Sequence, residues 1–186
     1  GYDHTNPLGA GVYTGWCNPA HPSYDDTLVC NDKLIGVYSY PDSGNSPEDD
    51  NSHGSHTAST TAGNVLNDVE YDGYTFEQIS GMAPHANIIA YDVCTDSGCQ
   101  GASIMAAIDD AVADGVDVIN YSIGGGPTNP WDDPDSLAYL AARDAGVFVA
   151  TSAGNDGPDP GTAGSPANSP WLTAVANTTI GRVLAN

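Results

Sequence analysis

The sequence predicts an α/β protein with a doubly wound parallel sheet. After residue 86 the chain alternates short apolar runs with longer amphipathic segments, which is the pattern of repeated strand–helix units. The strands are continuous apolar runs, as is typical of parallel strands whose two faces are covered by helices. The length of 186 residues, 40% of them apolar, suits one domain spanning residues 1–186.

The predicted elements follow one another in a regular order. Residues 1–32 are rich in Gly, Pro, Asn and Asp and are predicted as loops, whereas 33–186 form the α/β core. Residues 64–80 are predicted as a surface excursion. Strands are predicted at 33–40, 87–94, 116–123, 147–154 and 171–177, and helices at 53–63, 101–115 and 133–146.

The second of these helices shows its buried face in the sequence. Apolar side chains recur on one stripe at Ile104, Ile108, Ala111 and Val112. Gly115 stands where a helix C-cap is expected.

Four cysteines fall into two close pairs, Cys17 with Cys30 and Cys94 with Cys99. Each pair can close a short loop as a disulfide, which is the usual pattern of a secreted protein. Zinc binding is the alternative, but it favours tighter CxxC-like spacing and further converging ligands. We therefore expect disulfides.

The charge balance narrows the possible partners. Three Lys and Arg against 24 Asp and Glu give a formal net charge of −21, which repels nucleic acid and anionic lipid. The sequence contains no apolar run of about 18 residues that predicts a membrane span, and no basic-then-apolar leader. Nucleic-acid and membrane partners are therefore not expected. The acidic surplus remains compatible with solubility in salt or with divalent cations.

Two glycine-rich loops follow neighbouring predicted strands, at residues 122–126 and 151–158. Ligands of doubly wound sheets bind beyond the carboxyl ends of the strands, and glycine allows a ligand to approach the backbone closely. Exposed backbone groups there can pair with a peptide as an added strand. One such loop alone would indicate a tight turn, whereas two side by side favour a binding site.

His53 and His56 lie three residues apart at the predicted start of a helix, within the stretch DDNSHGSHTA. The spacing puts both imidazoles on one helix face, so a metal site with Asp49 and Asp50 is one interpretation. The helix-borne zinc signature, however, has a glutamate after the first histidine, where this chain has Gly54. The other interpretation is a proton-transfer site, for which histidine is well suited near neutral pH.

Four motifs resemble, in the same order, those of the subtilisin-like serine proteases of the peptidase S8 type. They are the histidine motif at 49–59, the strand at 81–93, the substrate-edge strand at 115–126 and the oxyanion-asparagine loop at 149–158. The resemblance continues through residues 165–176. Residues 30–40 and 181–186 are similar to the secreted branch with an inserted protease-associated domain. The resemblance implies an extracellular enzyme with polypeptide substrates.

The resemblance also implies roles for particular residues. His53 would be the catalytic base that activates a serine hydroxyl, and Asn155 would donate a hydrogen bond to the oxyanion. His56 would be structural. The segment that pairs with the substrate backbone would be Ser122, Ile123 and Gly124, and the facing wall of the specificity pocket would be Ser152, Ala153 and Gly154.

Two residues that the family requires do not appear where they should. The D-S-G triplets at Asp42 and Asp96 stand at the wrong places for the catalytic aspartate, and Ser165 lacks the glycine and threonine that precede the nucleophile in this family. We therefore expect an incomplete subtilisin-like domain that is inactive alone and needs the remainder of the protease. The alternative is a non-catalytic, peptide-binding pseudoprotease.

The chemistry implied by this resemblance requires no cofactor and no metal. The acidic clusters at residues 47–51 and 131–135 supply oxygen ligands, so structural calcium is possible. No EF-hand spacing is present, and solvated acidic loops are the simpler interpretation.

Overall fold

The computed structural model describes residues 4–40, 46–178 and 181 of the chain. In chain order its elements are β1 (Thr14–Gly15), β2 (Leu34–Ser39), α1 (His53–Ala62), β3 (Leu66–Tyr71), β4 (Tyr74–Ile79), β5 (Ile88–Asp92), β6 (Cys94–Thr95), β7 (Gly98–Cys99), α2 (Gly101–Ala113), β8 (Val118–Tyr121), α3 (Pro134–Asp144), β9 (Phe148–Ser152) and β10 (Thr173–Val175). Parallel strands with intervening helices confirm the predicted α/β class.

The chain divides into two compact units, Gly1–Ser103 and Ile104–Asn186, and each contains a three-stranded parallel sheet. The sheet of the first unit has the order β1-β2-β5. Its central strand buries Ile35 and Val37, as expected for a strand in the middle of a sheet. The two-residue strand β1 lies within the segment that the sequence predicts as loops.

The predicted surface excursion is an ordered hairpin, formed by β3 and β4 around a turn at Asp72 and Gly73. The antiparallel register pairs Val69 with Phe76 and Tyr71 with Tyr74. Because side chains alternate along a strand, these four residues share one face of the hairpin. Most of the hairpin is exposed to solvent, as the sequence predicts.

Both cysteine pairs form disulfides in the structure, as their spacing predicts. Cys17 is bonded to Cys30 within the loops that precede β2. Cys94 is bonded to Cys99 and closes the two-stranded hairpin of β6 and β7. The second disulfide therefore fixes the connection between β5 and α2.

The sheet of the second unit has the order β10-β9-β8, with all strands parallel. Helix α3 packs against β9, and the core contains Tyr139, Val149 and Thr151, which are almost completely buried. Burial raises the pKa of Tyr139 well above its usual range. Within α2, Ile104, Ile108 and Ala111 are buried, as the apolar stripe predicts.

A buried polar cluster fixes the start of α3. The carboxylate of Asp133 accepts hydrogen bonds from the N–H of Ser136, at 3.0 Å, and from its hydroxyl. Ser169 donates its hydroxyl to the Ser136 hydroxyl at 2.9 Å, and the Trp171 indole donates to the Ser136 carbonyl at 2.8 Å. The Asp133 carboxylate therefore caps one N–H group of the first turn, and the bonds from Ser169 and Trp171 link α3 to the segment before β10. In the described part of the chain, every helix is too short or too polar to cross a bilayer.

Candidate active site

His53 is the first residue of helix α1 in the first unit, and its side chain is exposed. His56 follows on the same helix and is also exposed, and its N–H donates to the Ser52 carbonyl at 3.0 Å. The helix ends at Ala62, one residue before the predicted end, and the N–H of the next residue, Gly63, donates to the Ser59 carbonyl at 2.8 Å. His53 therefore stands at the start of the helix, as the sequence predicts, and the structure leaves it accessible to solvent.

The aspartate at the end of β5 is a titratable group that no sequence motif marks. Asp92 accepts a hydrogen bond from the Ser39 hydroxyl at 3.1 Å, so the ends of β5 and β2 are joined. Burial raises the pKa of Asp92, and the negative charges of Asp50 and Asp49 act in the same direction. Partial burial among other carboxylates therefore disfavours its ionised form.

Asn155 stands in the loop that follows β9 in the second unit, and its side chain is exposed. The preceding Gly154 has a φ of 90°, a backbone conformation that residues with a side chain rarely adopt. The N–H of Ala153 still pairs with the Val175 carbonyl at 2.9 Å, so the chain leaves the sheet only at Gly154. The glycine therefore turns the chain at the strand end and presents Asn155 beside it.

The loop after β8 lies next to the loop after β9. The two strands are parallel neighbours, with Tyr121 opposite Thr151, so Ser122–Gly124 and Ser152–Gly154 follow these paired residues at the same edge of the sheet. Ser122 accepts a hydrogen bond from the Asn120 amide at 3.1 Å. The structure thus brings together the two glycine-rich segments that the sequence predicts as a binding site.

A third segment, which is not part of the predicted binding site, holds these two loops together. Gly125 and Ser165 exchange backbone hydrogen bonds of 2.9 and 3.2 Å. The N–H of Gly164 donates to the Ala153 carbonyl at 3.4 Å. A Cβ atom added at Gly164 would lie only 2.2 Å from the Gly125 carbonyl oxygen. The close approach of the two backbones therefore requires glycine at position 164. This glycine is the sequence feature that could have indicated the role of the segment.

We expect Gly164→Ala to lower the free energy of unfolding of this chain by about 1–3 kcal/mol, because the new methyl group forces the two backbones apart. Urea unfolding measures the change. Gly126→Ala is the matched control, since a Cβ atom there meets open space. Equal stability of the two variants would show that the contact between residues 164 and 125 is not tight.

The candidate nucleophile Ser165 is buried, with 7% of its surface exposed. Its hydroxyl accepts a hydrogen bond from the Thr128 N–H at 2.9 Å and lies 2.7 Å from the Thr128 hydroxyl. It also lies 3.2 Å from the Asn168 side-chain oxygen. These contacts support a structural role for Ser165.

The structure describes one of the two candidate aspartates. Asp96 is an exposed residue of the disulfide-closed turn between Cys94 and Cys99. Asp42 lies outside the described residues. Within residues 4–40, 46–178 and 181, no group of three His, Cys, Asp or Glu side chains is placed to hold a metal ion.

Comparison with known proteins agrees with the motifs. A family model described as the subtilase family, Peptidase S8, matches residues 14–185. The subtilisin-like protease SBT4.12 of Arabidopsis thaliana is 43% identical over 156 residues, which cover 83% of this chain and 21% of that protein. SBT5.1 of the same plant is 38% identical over 177 residues, covering 91% of this chain and 22% of that protein.

Two further matches are another plant protease and a solved structure. The CO(2)-response secreted protease of Arabidopsis thaliana is 41% identical over 165 residues, covering 82% of this chain and 21% of that protein. The solved structure of the prenylagaramide maturation protease PagA has 25% identity and a TM-score of 0.42, covering 52% of this chain and 35% of that one. The chain spans about a fifth of the length of the curated relatives it matches. With the family model covering nearly its whole length, this chain belongs to the subtilase family of peptidases.

Proposed function

We propose that this chain supplies the general base and the oxyanion donor of an extracellular serine endopeptidase. His53 accepts the proton of a serine nucleophile and returns it to the leaving amine. Asn155 donates a hydrogen bond from its side-chain amide to the oxyanion of the tetrahedral intermediate. Both units then belong to one partial peptidase domain. The chemistry requires no cofactor, and a calcium ion bound by the acidic loops would have only a structural role.

In this proposal the substrate is a polypeptide that binds at the edge of the second sheet. Its backbone pairs with Ser122, Ile123 and Gly124 as an added strand. Ser152, Ala153 and Gly154 form the facing wall of the pocket for the side chain before the scissile bond. The observation that carries the proposal is the connection of the two loops through Gly164 and Ser165, in a chain of the subtilase family.

We propose that the catalytic aspartate and serine belong to other parts of a longer protein. The sequence contains neither of their motifs in the expected context, and the relatives are about five times as long as the matched segment. Two disulfides and the similarity to a protease named as secreted support an extracellular location.

The 186-residue chain alone should not react with a serine-directed peptidyl phosphonate, because it contains a base and an oxyanion donor but no nucleophile. The full-length protein should react at a serine outside residues 1–186. Mass spectrometry of the labelled peptides measures both outcomes. Labelling of Ser165 in the isolated chain would contradict the proposal. An unreactive, inactive full-length protein would favour a non-catalytic, peptide-binding relative.

A further inference from the structure

We infer that Asp49 is a positioning residue for His53, because its carboxylate caps helix α1 in place of the residue at the N-cap position. The inference rests on the role proposed for His53. Asp49 lies four residues before His53, in the polar loop that enters the helix. The sequence suggested only a metal ligand or a solvated charge at this position.

The Asp49 carboxylate accepts hydrogen bonds from three backbone N–H groups. One oxygen, Oδ1, accepts the N–H groups of Asn51 at 3.0 Å and Ser52 at 2.8 Å. The other, Oδ2, accepts the N–H of Ser55 at 2.7 Å. The N–H groups of a first helical turn have no partner within the helix, so a cap must come from elsewhere. A single side chain therefore holds both the entering loop and the first turn on either side of His53.

Ser52 explains why the cap comes from a more distant residue. Serine usually caps a helix with its own hydroxyl from an extended conformation. Here Ser52 has a φ of 72° and a ψ of −10°, and its side chain makes no capping hydrogen bond. A non-glycine residue persists in the left-handed region only where its surroundings hold it there. The hydrogen bond from its N–H to Asp49 is such a restraint, and the backbone of Ser52 sets the direction in which His53 leaves the loop.

The negative charge of Asp49 favours its role as the cap of helix α1. A carboxylate at a helix N-terminus is favoured by the helix dipole. Hydrogen bonds from the hydroxyl and the N–H of Ser55 lower the pKa of Asp49 to about 2. Since the pKa is depressed on folding, the stabilising contribution is complete above the ordinary value of 3.8 and is lost as the pH falls through about 2. Asp49 therefore stays ionised over the whole range in which a histidine base operates.

The test compares Asp49→Ala, Asp49→Asn and Asp50→Ala in the full-length protein. Asp50 is the matched control, because it is the adjacent exposed carboxylate on the same loop. We expect Asp49→Ala to lower kcat by about 10- to 100-fold, since a misplaced base transfers protons poorly, with KM changed by no more than about twofold. Asp49→Asn keeps an acceptor oxygen and should recover part of kcat. Asp50→Ala should leave kcat within about twofold of the wild type.

Hydrogen–deuterium exchange of the same proteins provides a measurement that does not depend on proteolysis. Peptides covering residues 51–56 should exchange about fivefold faster or more in Asp49→Ala, and at the wild-type rate in Asp50→Ala. If Asp49→Ala does not fold, the exchange of the same peptides is measured in Asp49→Asn, where we expect a smaller increase in rate. Exchange unchanged in the Asp49 variants, or a kcat equal to that of the control, would overturn the inference. An inactive wild type would count against the proposed function, while the exchange rates would still decide the role of Asp49.

Discussion

Replacing His53 with alanine in the full-length protein should lower kcat by about 10⁴-fold or more, because the serine then has no base to accept its proton. The loss should fall on kcat, since His53 acts on the reacting atoms and contributes little to substrate binding. Hydrolysis of a chromogenic peptide measures kcat and KM. Activity should remain at the level that the oxyanion hole and substrate binding provide without the base.

His56→Ala is the matched control for this experiment, because the residue has the same chemistry and lies on the same exposed helix. We expect its effect on kcat to be smaller by about 100-fold or more, since the proposal gives it no proton to transfer. Equal losses in the two variants, together with bound zinc that both variants release, would support the metal interpretation and contradict ours.

Replacing Asn155 with alanine should lower kcat by about 10²- to 10³-fold while KM changes little. The magnitude is that known for a subtilisin and is carried over to this chain. The physical reason is that the amide contacts an oxygen whose negative charge develops only in the transition state, so its removal leaves substrate binding intact. Steady-state kinetics of the full-length variant measures both constants.

Asp156→Ala is the control for the Asn155 variant. Asp156 is the next residue in the same exposed loop, and its removal should leave kcat within about twofold of the wild type. A loss that appears in KM instead of kcat would show that Asn155 binds substrate in its ground state. A similar loss in both variants would show that the loop conformation, not the amide, matters.

The sequence predicts well those parts of the fold that depend on local pattern. The apolar runs around Ile119 and Val149 are strands, and the stripe containing Ile104 and Ile108 is the buried face of a helix. The two glycine-rich loops also lie side by side as predicted. In each case the periodicity of a single segment determines the element, and parallel pairing of neighbouring strands brings their ends together.

The features that the sequence does not reveal depend on contacts between distant segments or on unusual backbone. Gly125 pairs with Ser165 across 40 residues, and no local pattern reports such a pairing. Asp49 replaces Ser52 as the helix cap because Ser52 is left-handed, a conformation that serine rarely adopts. The sequence therefore suggests candidate catalytic residues, but it does not indicate the residues that fix the segments around them.

A crystal structure of the full-length protein with a peptidyl phosphonate bound to its serine would show whether His53 and Asn155 serve one catalytic centre. The tetrahedral adduct imitates the transition state. We expect the His53 imidazole and the Asn155 side-chain amide both to lie about 3 Å from oxygen atoms of the adduct. An adduct that one of these side chains contacts while the other lies in a different part of the molecule would contradict this expectation.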